Sequence, residues 1–130
     1  MTKNYQTSNS VLNYFNDKLG VNYNIEIKFL FNDEFRKLNS NKDYYIKEEN
    51  DKYIVFVNLI SKQYGKYCFL LNIIKPLAEI YVYENNYKTK MANLTDSQNN
   101  IIKQHINLKS SVLAEDLLKE IIKIGITKKS

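Results

Sequence analysis

His105 is the only histidine and Cys68 the only cysteine of the chain, and this limits the chemistry it can host. A zinc site needs three or four converging Cys, His or acidic ligands. A Ser or Cys nucleophile needs a base held against it. His105 falls near the end of an expected helix, where the dipole mildly favours an imidazolium, so a structural role is the reading adopted for it. Cys68 lies in an apolar run and reads as a buried, inert thiol. A lone cysteine also excludes an internal disulfide and a CxxC pair. No HExxH, GxSxG, Walker A or GxGxxG pattern occurs. With glycine only at positions 20, 65 and 125, no Gly-rich loop is available to cradle a phosphate. The expectation is no metal, no cofactor and no enzymatic activity.

Two polar groupings deserve weighing as chemistry. Glu48, Glu49 and Asp51 cluster in sequence, and paired carboxylates about 5–9 Å apart can do acid–base work. Neighbours on a strand point to opposite faces, so Glu48 and Glu49 do not converge, and a solvated hairpin end accounts for them. Asn58 and Asn72 each interrupt an apolar segment. If those segments pair as a hairpin, the two amides either satisfy each other or form the polar floor of a pocket.

The strongest signal is aromatic and basic. Eleven tyrosines and six phenylalanines stand beside no tryptophan, and Arg36 is the only arginine. Tyr64, between Lys62 and Lys66, is expected to project from a hairpin tip. Lys88, Lys90, Lys103 and Lys109 make the later part of the chain basic, with Tyr87 beside the first of them. Aromatics beside lysines can stack unpaired bases, and tyrosine is equally at home in strands and protein interfaces. These eight residues are the candidate binding set.

The elements that must position them follow from periodicity. A helix is expected from Ser8 or Ser10, with Val11, Leu12, Phe15 and Leu19 on one face and Gly20 as its left-handed C′ residue. Residues 24–31 alternate as a half-buried strand. Asn32, Asp33 and Glu34 suit the start of a short helical turn. Residues 44–48 form a short strand, Asn50-Asp51 a turn, and 53–60 and 67–75 two central strands joined by 61–66. Pro76 interrupts pairing, residues 77–84 give a further strand and 87–91 a last short one. Thr95 and Gln98 spell a capping box for one helix. A second helix starts near Ser110 or Ser111, buries Val112, Leu113, Leu117, Leu118, Ile121, Ile122 and Ile124, and stops at Gly125, with Ile126 closing on Ile121. The expected fold is α+β: an antiparallel meander of about five strands, an N-terminal helix and two C-terminal helices packed on the sheet. It is expected as a single domain over 1–130, with loose tails at 1–7 and 127–130.

Composition sets the class. Charged residues make up 25 % and hydrophobic residues 44 %, ordinary globular usage. The abundance of Asn, Lys, Ile and Tyr tracks A/T-rich codons and points to a bacterial or mobile-element genome. The net charge of +5 favours an anionic partner over a cationic one, but lacks the dense arginine stripe of a dedicated nucleic-acid binder. The polar start has no signal-peptide core, and no apolar run approaches the roughly 20 residues of a membrane helix. A cytoplasmic protein without a membrane partner is expected.

The run Val11-Leu12-Asn13-Tyr14-Phe15-Asn16-Asp17-Lys18-Leu19-Gly20 resembles the opening of a conserved C-terminal segment in phage replisome-organiser proteins. It covers about a tenth of the chain. The expected order of elements is similar to that of some small phage anti-CRISPR proteins. Those are acidic and this chain is basic, which argues against DNA mimicry. Two functions compete. One is a small non-enzymatic inhibitor from a phage or mobile element that occludes a larger protein or nucleoprotein partner. The other is a nucleic-acid-binding domain, for RNA or DNA, using the same surface. An enzyme with an atypical site near Asn58 and Asn72 is the weaker third.

Overall fold

Val11 and Phe15 are buried one helical turn apart on the inner face of α1 (Thr2–Leu19), which begins ahead of the expected start. Gly20 follows at φ 64°, and the Val21 N–H reaches the Asn16 carbonyl at 3.0 Å, the long bond of a Schellman end. The structure, a computed structural model, describes residues 2–88 and 94–124, with 2–7 by backbone alone. The strand β1 (Ile25–Leu30) leads into the short helix α2 (Asn32–Arg36). Next come β2 (Tyr44–Glu49) and β3 (Lys52–Asn58). Asn50 and Asp51, at φ 51° and 61°, supply the left-handed pair that a two-residue I′ hairpin requires.

The sheet is three-stranded and mixed, in the order β1-β3-β2. β2 pairs with β3 antiparallel, from Glu49↔Lys52 to Tyr44↔Val57. β1 pairs with β3 parallel, from Ile25↔Tyr53 to Leu30↔Asn58. The inner face carries Ile25, Phe29, Tyr53, Val55 and Val57, which pack with Val11 and Phe15 of α1 and the buried residues of two long helices. A 3-10 helix (Leu59–Tyr64) and Gly65 lead into α3 (Lys66–Asn86), and α4 (Asp96–Ile124) returns along it.

The α+β class holds, but the five-stranded antiparallel meander does not. Residues 67–75 and 77–84, expected as strands, are the single helix α3. The segment is apolar at nearly every position, and a fully buried strand and a fully buried helix then look alike. The buried positions Phe69, Leu70, Ile73, Ile74, Leu77 and Ile80 keep helical spacing. Pro76 does not break the helix. It lies buried inside it and leaves the Asn72 carbonyl without its i+4 donor. Of the expected strand 87–91, Tyr87 and Lys88 form a turn and the remainder lies outside the described residues. Pairing is not antiparallel throughout, because α2 carries the chain across to the far edge before the β2–β3 hairpin returns it beside β1.

The two C-terminal helices are one. Ser110 and Ser111 do not cap a new start. Their hydroxyls donate back to the Asn107 carbonyl at 3.1 and 2.8 Å, a bond that satisfies a serine inside a continuous helix. The capping box does open α4: the Thr95 N–H bonds Gln98 Oε1 at 3.0 Å and the Gln98 N–H bonds Thr95 Oγ1 at 3.2 Å. Val112, Ile122 and Ile124, expected in the core, are exposed, since one helix can turn only one face inward. The expected closure by Gly125 and Ile126 and the basic tail lie outside the described residues. No helix among the described residues is long and apolar enough to cross a membrane.

Candidate functional site

The parallel register of β1 and β3 brings their C-terminal ends together, and with them the segments that follow. Phe31 follows β1, and the 3-10 helix follows β3. Asn58, fully buried at this junction, ties them. Its Nδ2 donates to Asn32 Oδ1 at 2.9 Å, and its Oδ1 accepts from the Ile60 N–H at 3.1 Å. This end of the sheet presents Phe31, Tyr64 and Tyr67 at 66, 64 and 56 % exposure. Gly65, at φ 106° and ψ 163°, separates the two tyrosines in a conformation essentially confined to glycine. Behind them Phe69 packs against Phe29 with ring centroids 5.6 Å apart. The Lys62 ammonium lies 5.7 Å from the Phe69 ring centroid, and Lys66 is exposed.

Tyr64 is thus exposed, but at a 3-10 to α-helix junction and not at a hairpin tip. The other expected residues sit elsewhere. Helix α3 spans 21 residues, roughly 30 Å at 1.5 Å per residue, so Tyr87 and Lys88 stand at its far end from Lys66. The expected set is two groups. In the second, Lys88 meets Glu84 at 2.9 Å and Glu48 at 3.6 Å and lies 5.9 Å from the Tyr53 ring centroid. Lys109 lies 6.0 Å from the ring centroid of half-buried Tyr87. Lys103 is exposed at the rim of a shallow cleft. Lys90 lies outside the described residues.

Helix α3 meets the sheet through two phenol–carboxylate contacts. Tyr44 of β2 donates to Glu79, and Tyr53 of β3 donates to Glu84. Burial first, then the adjacent carboxylate, raises both phenols well above the ordinary tyrosine range, so they stay protonated donors. Lys42 and Lys75 each approach Glu79 Oε2 at 4.0 Å, and Lys75 donates to Asn107 Oδ1 at 2.7 Å. Burial holds the Lys75 ammonium below the usual lysine range, and neighbouring Lys42 adds to this. Clefts of about 340 and 330 Å³ flank the network, small for ligand sites.

Asn58 and Asn72 do not face each other. Asn58 is the satisfied buried amide just described. Asn72 lies on α3, donates to the Cys68 carbonyl at 3.0 Å, and lines the larger of these two clefts. Cys68 is half-buried in the first turn of α3, not inside a strand. Glu48 and Glu49 are both exposed, and Glu49 pairs with Lys47 at 2.9 Å. His105 is exposed on α4. Among the described residues, no three His, Cys, Asp or Glu side chains are grouped to hold a metal ion.

Phe31 and Tyr67 are members of the aromatic end that sequence reasoning placed on strands. The alternation of residues 24–31 gave no sign that Phe31 lies one residue beyond the ladder. Tyr67 becomes visible as exposed only once the following segment is helical. The geometry describes a small α+β protein with an aromatic end on its sheet. Comparison with family models, curated proteins and solved structures finds no match.

Proposed function

We propose that the chain is a binding protein that occludes a surface on a larger protein or nucleoprotein, with Phe31, Tyr64 and Tyr67 as its contact. An inhibitor of the kind encoded by phages or mobile elements fits this role, in keeping with the A/T-rich codon bias. The observation that carries the reading is three large aromatics, each more than half exposed, at one end of the sheet. Exposed aromatics gathered at one end of a fold are suited to an interaction site, and a few aromatic anchors commonly dominate interface energy. Lys88 and Lys109, half of the expected cationic set at the other end of α3, are engaged with internal partners, which weakens the nucleic-acid alternative. Lys62 and Lys66 keep that alternative alive at the aromatic end, where bases could stack on Tyr64 and Tyr67.

The test is affinity capture from host lysate, with and without nuclease, followed by binding measurements on the captured partner. The expected result is capture that survives nuclease and moderate salt. Tyr64→Ala weakens binding at least about tenfold, and Lys88→Ala changes it little. Micromolar binding of naked RNA or DNA at physiological salt, lost on neutralising Lys62 and Lys66, would make the nucleic-acid reading the better one.

A further inference from the structure

The face of α4 directly opposite its buried side is not polar. Ile106, Ser110, Ala114, Leu117 and Ile121 face the core. Ile101, Leu108 and Val112, at i, i+7 and i+11, form a stripe on the outside, each more than half exposed. That spacing keeps three side chains in one line along a helix, as in the seam of a helix pair. The polar groups along this face are asymmetric. The hydrogen-bond donors Gln104 and His105 lie before the level of Ser110, and the carboxylates Glu115 and Asp116, with Lys119, lie after it, all exposed.

The geometry points to a second copy of this chain as the occupant, docked α4 against α4, antiparallel, about a twofold axis at the level of Ser110. That axis places Leu108 of each copy against Val112 of the other. At 100° per residue, His105 and Asp116 fall on the same flank of the stripe, and in an antiparallel pair like flanks meet. The axis therefore sets His105 beside the second copy's Asp116, and Gln104 beside its Glu115. Lys119 lies over Ile101, where its methylene stem covers the apolar side chain and its ammonium stays in water. A parallel pair would instead set Glu115 beside the second copy's Asp116. The self-complementary patch is what a twofold interface requires. One helix pair is smaller than the roughly 1,200–2,000 Å² of a stable interface, so the dimer is weak and in exchange with monomer. The surface is separate from the aromatic end, and either could fail alone.

Sedimentation velocity on the full chain, from about 5 to 500 µM, reads the association directly. The expected result is a weight-average mass that climbs with concentration from monomer toward dimer. Leu108→Gln with Val112→Gln removes the climb while leaving the melting temperature unchanged, since both positions are solvent-facing. His105→Glu alone weakens association at least about fivefold, and adding Asp116→Lys restores it. A mass that stays monomeric to the highest concentration overturns the proposal. So does a dimer that survives the double Gln variant, or a charge swap that fails to rescue.

Discussion

Tyr44 and Tyr53 show how single side chains tie this molecule together. Each presents an apolar ring to the inner face of the sheet and delivers its hydroxyl to a carboxylate on α3, Glu79 or Glu84. The folded state raises both phenol pKa values, and an unfolded tyrosine ionises near pH 10. Stability linked to these phenols is therefore intact below about pH 10 and is lost as the pH rises beyond it. In a 295 nm absorbance titration of native protein, at least two of the eleven tyrosines should stay un-ionised until the chain unfolds. Tyr44→Phe with Tyr53→Phe should flatten the alkaline loss of stability, and an unchanged alkaline slope would remove these residues from that role. Glu84 works in the opposite pH direction. Burial opposes its ionisation, but the Tyr53 hydroxyl and Lys88 ammonium outweigh burial and hold the carboxyl below its usual range. Its contribution is lost as pH falls below about 4.3. Neither contact was legible in the sequence, because Glu79 and Glu84 lay on a segment read as a strand.

The elements divide by how local their signals are. The I′ turn at Asn50-Asp51, the Gly20 end of α1, the Thr95–Gln98 box and strands β1 to β3 were all legible, because each rests on a few neighbouring residues. Helix α3 was not. Its apolar run satisfies either period, and Pro76 reads as the break between two strands. Tertiary burial on several sides decides for the helix. At the candidate site, the exposure of Tyr64 was foreseen, but its companions were not, because they depend on the parallel register of β1 and β3. Gly65 is the hinge on which that end turns. Its angles are costly for any residue with a Cβ, although a Cβ there would meet nothing within 4 Å. Gly65→Ala should therefore cost about 1–2 kcal/mol through backbone strain alone, seen in urea unfolding as a lower midpoint at unchanged slope. A variant as stable as the parent would mean the junction adopts different angles.

At the scale of the whole molecule, the core is continuous from α1 through the inner sheet face to α3 and α4. Val57 sits at its centre, fully buried on the middle strand. Val57→Asp should cost several kcal/mol by burying an unpaired carboxylate, and circular dichroism melts should show it. A variant melting within a few degrees of the parent would misplace that strand. The strand order also dictates the sequence of events as the chain is made. The strand that joins the other two is synthesised last of the three, so β1 waits for a partner 28 positions downstream, as Ile25↔Tyr53 shows. The β2–β3 hairpin can close in microseconds once Asn58 has emerged, with β1 docking afterwards at a greater loop-closure cost. From then until α3 has been translated, the finished sheet has only α1 to cover Val55, Val57 and Phe29. That interval is when a nascent chain is most open to pairing with another, and the pace of elongation through residues 66–86 limits how long it lasts.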